Sequence, residues 1–312
     1  MLQIDYVISD MSNQYAFISD LSNWNNAVFP TRRKEWIKRT GKLTPADVSM
    51  LEKFGAIHKA SDLLLFLIFF DPHYPDPWRM VGKKIGPKKT KELKNVLDYF
   101  SARFQKIASE EKPKLERLRK KLVQKNIAAT STVKNITRLC GIKEKGTQKI
   151  TCLLGMSASS VPDCNGWTSG NSIVLECSGW PAKRTKEIYQ EIIPHELFHI
   201  LLRNNGRLLK KLRELAAENE SSLAEINLEG YSSRMVFEEI ILSSFIPEGY
   251  LIHKKIDSPQ KKPKDFQAIR QQFAYLLRDE AKKYVVAQKS IDKVYMEKVM
   301  SEIKGMASRK YF

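Results

Sequence analysis

Five consecutive residues, His195-Glu196-Leu197-Phe198-His199, constrain this 312-residue chain more than any other segment. They lie inside an apolar stretch (Ile188, Ile192, Ile193, Leu197, Ile200, Leu201) whose spacing predicts a buried helix from about Thr185 to Asn204. Two imidazoles and a carboxylate on a buried helix need partners, because each buried polar group left unpaired costs about 1–3 kcal/mol. Positions i and i+4 share one helix face, so a single cation satisfies both rings at once. Glu196, one residue past His195, sits at the edge of that face, where it can reach a water on the ion without ligating it. Pro194 removes a helix hydrogen bond and predicts a kink or local opening just before the motif. Asn204-Asn205-Gly206 predicts the helix end, with Gly206 in the left-handed conformation.

A zinc site needs a third protein ligand. A continuation as HExxHxxGxxH would put Gly at 202 and His at 205; Leu202 and Asn205 stand there, which excludes the metzincin arrangement. The next source is a carboxylate from a later helix, and Val236-Phe237-Glu238-Glu239-Ile240-Ile241-Leu242-Ser243 offers two. Periodicity alone leaves Glu238 and Glu239 open. Glu239, followed directly by apolar residues, is the preferred ligand, and Glu238 is the alternative, with an exposed helix start as its ordinary role. The predicted metal set is His195, His199 and Glu239, with Zn2+ as the ion.

Together the HELFH motif at 195–199, a downstream helical Glu and a strand before the motif helix resemble the gluzincins, the thermolysin-like zinc peptidases. The resemblance spans roughly residues 149–252. It implies an α+β fold of zincin type, mostly helical, with a small antiparallel sheet packed on the motif helix. It also implies an edge strand, here matched by Ser172–Cys177 (SIVLEC), that pairs with substrate backbone. The implied activity is zinc-dependent hydrolysis of peptide bonds in a peptide or protein substrate, with Glu196 as general base. An oxyanion donor is also required; Tyr231, Tyr250 and His253 are the candidates, and Tyr250, in IPEGYLIH just after the ligand helix, is preferred. The interval 200–238 is longer than in compact members, and KKLRELAAENESSLAEINLEG within it predicts a helix or lid of its own.

The flanks differ in character. The chain carries 53 Lys+Arg against 35 Asp+Glu, a net charge of +18. Residues 176–250 nevertheless contain twelve Glu, no Asp and only nine Lys/Arg, so the excess lies outside them. A carboxylate-rich centre suits a cation better than a phosphate. The basic flanks suit a nucleic acid or an acidic partner. That charge motivates a second reading, a basic helical nucleic-acid-binding protein with an inert or structural motif. No zinc-finger, RNP-type or glycine-rich phosphate motif supports it.

Three regions follow from the composition: a helical basic region at 1–148, the catalytic core at 149–252, and a helical region at 253–312. Thr44-Pro45 with Asp47 predicts a capped helix start. Residues 83–125 predict one or two amphipathic helices broken near Pro113, and Lys149–Met156 predicts a buried strand. The stripe Phe266, Ile269, Phe273, Leu276 and Leu277 predicts helix packing. His58 is expected on the surface and His73 in a structural turn. The run Leu63–Phe70 is too short to span a bilayer and predicts a buried helical segment; no membrane span is expected. The four cysteines form no CxxC pair, and no leader-like start is apparent. A cytoplasmic protein with reduced thiols is the expectation.

Overall fold

A computed structural model describes residues 2–24, 32–59, 68–70, 76–142, 148–158, 165–226, 231–253, 263 and 265–308. His73, Cys164 and most of the run from Leu63 lie outside the described residues; Ile68, Phe69 and Phe70 are helical and buried. The chain divides into two compact units, one of Leu2–Lys125 with Gln148–Thr185, the other of Asn126–Thr147 with Lys186–Phe312. The fold is α+β and mostly helical.

The first unit holds the sheet. Strands β1 (Leu2–Val7), β2 (Gln148–Gly155), β3 (Asn165–Ser169) and β4 (Ser172–Glu176) lie in the order β1-β2-β4-β3. β1 pairs parallel with β2 and β2 parallel with β4; only β3 and β4 are antiparallel. The expected antiparallel sheet is therefore a mixed one. β4 is fully buried and paired on both sides, so it is not the expected open edge. Its apolar run Ile173-Val174-Leu175 fits a central strand covered on both faces.

Helices α1 (Asp10–Ser22), α2 (Arg32–Thr40), α3 (Pro45–Lys59) and α4 (Pro77–Lys125) belong to the same unit. α3 starts as its sequence predicts. The Thr44 hydroxyl accepts from Asp47 N at 3.1 Å and the Asp47 carboxylate accepts from Thr44 N at 2.7 Å, a reciprocal cap with Pro45 at the first helical position. α4 breaks at Gly86 (φ 78°, ψ 166°), just before Pro87, and not at Pro113. Ser109 and Pro113 are both exposed, so water can satisfy the carbonyl that Pro113 leaves without a donor. His58 is not on the surface: it is wholly buried among Tyr15, Trp24 and Phe54.

The second unit is helical. After α5 (Ser131–Leu139), a π-helical turn at Ile188–Ile192 leads into α6 (Ile193–Asn204), which carries the motif. The wider turn sits where Pro194 cannot donate, and is the predicted opening. α7 (Gly206–Glu218) and α8 (Glu220–Glu225) are formed by the interval after the motif; α9 (Ser233–Ser243), α10 (Phe266–Leu276), α11 (Arg278–Val286) and α12 (Lys293–Ser308) follow. Gly206 does not take the left-handed conformation. Asn205 is shared by α6 and α7, and its side chain accepts from Leu208 N at 3.2 Å. α6 packs against α5, α7 and α9. Phe198 of α6 meets Phe245, which meets Tyr295, and the core continues to Tyr284. Phe266, Ile269, Phe273 and Leu277 are buried as the stripe predicts, but Leu276 is 39% exposed. No described helix is long and apolar enough to cross a membrane.

Candidate metal centre

α6 is buried around nearly its whole circumference, and His195, Glu196 and His199 are buried with it. The i, i+4 spacing places the two imidazoles side by side, with ring centroids 4.8 Å apart and His199 Nε2 3.2 Å from His195 Nε2. α9 brings Glu239 onto both rings: its Oε1 lies 3.0 Å from His199 Nε2 and its Oε2 lies 3.4 Å from His195 Nε2. His195, His199 and Glu239 form a group that could hold a metal ion, each offering one ligand atom, all within 4.8 Å of one another.

The spacing can be tested against the ion. Tetrahedral ligands about 2.0–2.2 Å from a metal stand roughly 3.3–3.5 Å from one another. The 3.2 Å between the two Nε2 atoms is close to such an edge, while Glu239 spans the pair with one oxygen towards each ring, at 3.0 and 3.4 Å. Two imidazoles and a carboxylate are also a donor set that zinc accepts.

The outward nitrogen of each ring is held. His199 Nδ1 donates to Glu238 Oε1 at 2.6 Å, and His195 Nδ1 donates to the Ile246 carbonyl at 3.2 Å. Each bond turns the Nε2 of its ring towards Glu239 and selects the tautomer that a metal needs. Glu238 is wholly buried, which rules out the exposed helix start considered for it. Its carboxylate also accepts from Arg203 Nε at 2.7 Å and from Arg234 Nη1 at 3.1 Å. The adjacent glutamates thus divide the work: Glu239 faces both Nε2 atoms and Glu238 backs one ring. A 100° turn per residue separates the two roles.

The electrostatics follow from this placement. Burial would lower His199, but the Glu239 and Glu238 carboxylates outweigh it and raise the imidazole to about 10. Burial would raise Glu239, but His199 and His195 hold it well below the usual carboxylate range. Glu238 is held low in the same way by His199, Arg203 and Arg234, against its burial. Glu196 goes the other way. Burial raises its carboxyl, with the two imidazoles opposing and Glu239 adding to the rise. Among the described residues, no hydrogen bond ties up the Glu196 carboxyl. The site therefore favours positive charge between its rings and keeps a basic carboxylate beside them.

The tyrosine candidates separate. Tyr250 is half-buried in the turn after α9, its N–H bonded to the Ser244 carbonyl at 3.1 Å; the described contacts of the three metal-group residues do not include it. His253 is exposed. Tyr231 lies against Phe266, with rings 5.5 Å apart, and contributes to the field at Arg270. Four charged residues went unassigned at the sequence level: Arg203, Arg234, Glu248 and Arg270. Arg203 stands four after His199 and Arg234 four before Glu238, a spacing that signals a shared face. Nothing in the pattern marks Arg270, which sits beside a packing stripe.

Comparison of the chain with known protein families, curated proteins and solved structures returns no match.

Proposed function

We propose that the chain is a zinc-dependent metallopeptidase of gluzincin type. The observation that carries the reading is the convergence of His195 Nε2, His199 Nε2 and the Glu239 carboxylate, all within 4.8 Å of one another, with Glu196 beside them. A bound zinc ion would supply Lewis acidity and bring the pKa of a water towards neutrality. The chain's own residues do the rest. Glu238 and the Ile246 carbonyl hold the Nδ1–H of each ring and leave both Nε2 atoms aimed inward. Glu196 takes a proton from the attacking water and delivers it to the leaving amine nitrogen. Its raised pKa suits this exchange, since a carboxyl of ordinary pKa is a weaker base near neutral pH.

Tyr250 is retained as the proposed oxyanion donor on its position directly after α9, and Tyr231 is the alternative on its nearness to Arg270. Peptide or protein substrates, and a role for the basic flanks in docking an acidic partner, belong to this same reading.

Cleavage of an unfolded protein substrate by the zinc-loaded chain tests it. Glu196→Gln is expected to retain zinc and lose about 10²–10⁴-fold in kcat. Full activity in that variant, or none in the zinc-loaded wild type against a broad peptide library, would contradict the proposal.

A further inference from the structure

The metal-facing carboxylate is itself gripped from outside the motif. Arg270, on α10, places Nη1 3.2 Å from Glu239 Oε2 and Nη2 3.0 Å from Glu248 Oε1. Glu248 is buried in the tight turn after α9. That turn returns closely enough for Tyr250 N and Leu251 N to bond the Ser244 and Phe245 carbonyls, and a Cβ at Gly249 would run into the Ser244 backbone. The same turn presents the Ile246 carbonyl to His195. One rigid turn therefore orients a ligand ring directly and the ligand carboxylate through a guanidinium.

The clamp has little redundancy. Arg270 Nε and Glu248 Oε2 are buried without a hydrogen-bond partner among the described residues, so each residue spends a single polar atom on the other. The guanidinium stays charged: its burial is opposed by Glu248 and Glu239, and the net shift is upward. A planar fork is the group that can hold two carboxylates at a set angle; an ammonium is a point charge without that geometry.

Resting on the metallopeptidase reading, we infer that Arg270 is a positioning residue for the third metal ligand: braced by Glu248, it holds Glu239 Oε2 and fixes the carboxylate plane against the two imidazoles. The expected sign separates this role from a purely electrostatic one. Removing a cation beside a metal site would tighten metal binding, whereas losing the orientation of a ligand weakens it, by about 10–100-fold for such outer contacts.

The test measures Zn2+ affinity by chelator competition, and the visible absorption of the Co2+-substituted protein, in full-length wild type, Arg270→Gln, Arg270→Lys and Glu248→Gln. Both Arg270 variants are expected to bind Zn2+ about 10–100-fold more weakly with an altered Co2+ spectrum, and Glu248→Gln to lose less, in the same direction. Unchanged or tighter binding in Arg270→Gln overturns the inference, as does wild-type behaviour in Arg270→Lys, which would show that an ammonium without the planar fork serves equally well. Should Arg270→Gln fail to fold, Glu248→Gln decides: an unchanged affinity and spectrum there overturns it. A wild type that binds no divalent metal overturns this inference together with the reading beneath it. A wild type that binds zinc, responds to Arg270→Gln, yet cleaves nothing leaves the inference standing and removes the peptidase proposal alone.

Discussion

His58 and His199 are both buried, yet they are driven in opposite directions. His58 lies in the first unit, bonded to the Tyr15 hydroxyl at 2.6 Å and stacked on Trp24 with centroids 4.5 Å apart. Burial lowers it to about 4, so it is neutral at physiological pH. His199 lies in the second unit between two carboxylates and is raised to about 10. Burial alone makes a histidine part of a core. Burial with opposed carboxylates makes a pocket that requires a cation: a proton when no metal is bound, and a metal ion when one is. The bland interpretation of a histidine in an apolar segment is realised in the first unit and does not describe the second.

That contrast can be broken or sharpened by experiment. The largest effect is expected at Glu239: Glu239→Gln should abolish stoichiometric zinc binding in equilibrium dialysis, whereas Glu238→Gln, which removes the charge behind His199 that Arg203 and Arg234 also share, should weaken it about 10–100-fold. Equal effects from the two would erase the division of roles between adjacent glutamates.

Next in size is the pH dependence. Zinc must displace the proton from His199, so affinity should rise roughly tenfold per pH unit from about pH 7 to about pH 9, with one proton released per ion. The same shift works on stability without metal. A histidine raised in the folded state stabilises fully below its unfolded pKa of 6.5 and loses that contribution as pH rises through about 10. The metal-free protein should therefore soften between these limits, and zinc should reverse the trend. Glu239 and Glu238 are lowered, so their contribution is present at neutral pH and disappears on acidification below the ordinary carboxylate range. A flat affinity profile measured by titration calorimetry would contradict the assignment.

The smallest expected effect on the site comes from the other histidine. His58→Ala should cost about 2–4 kcal/mol in denaturant unfolding through the cavity it leaves, with zinc affinity unchanged. Zinc binding that followed His58 would unsettle the comparison.

Much of the centre was legible in the sequence because its parts are local. HExxH spacing on a helix dictates that two imidazoles share a face, and the cap at Thr44 and Asp47 is written in three residues. What was hidden depends on contacts distant in sequence. Glu238 and Glu239 sit on stripes of similar hydrophobicity, so only the packing of α9 on α6 separates them. Arg270 is brought to Glu239 across 31 residues, with no periodic signal of its own. β1 and β3 were not foreseen: LQIDYV does alternate apolar and polar from Leu2 to Tyr6, a strand signal that is only five residues long, and NGWTS has the composition of a turn. The parallel pairing of β2 with β1 and β4 is a matter of topology, which hydrophobic pattern does not encode. His58 was misplaced because its lysine neighbours are exposed while its own face of α3 is aromatic and buried.

X-ray absorption at the zinc edge of the loaded, full-length chain tests the centre most directly. Two imidazole nitrogens and a carboxylate oxygen at about 2.0–2.2 Å, with no sulfur, is the expected first coordination sphere. Sulfur at about 2.3 Å, or a loaded sample whose zinc washes away with no specific scattering shell, would show that His195, His199 and Glu239 do not hold the metal.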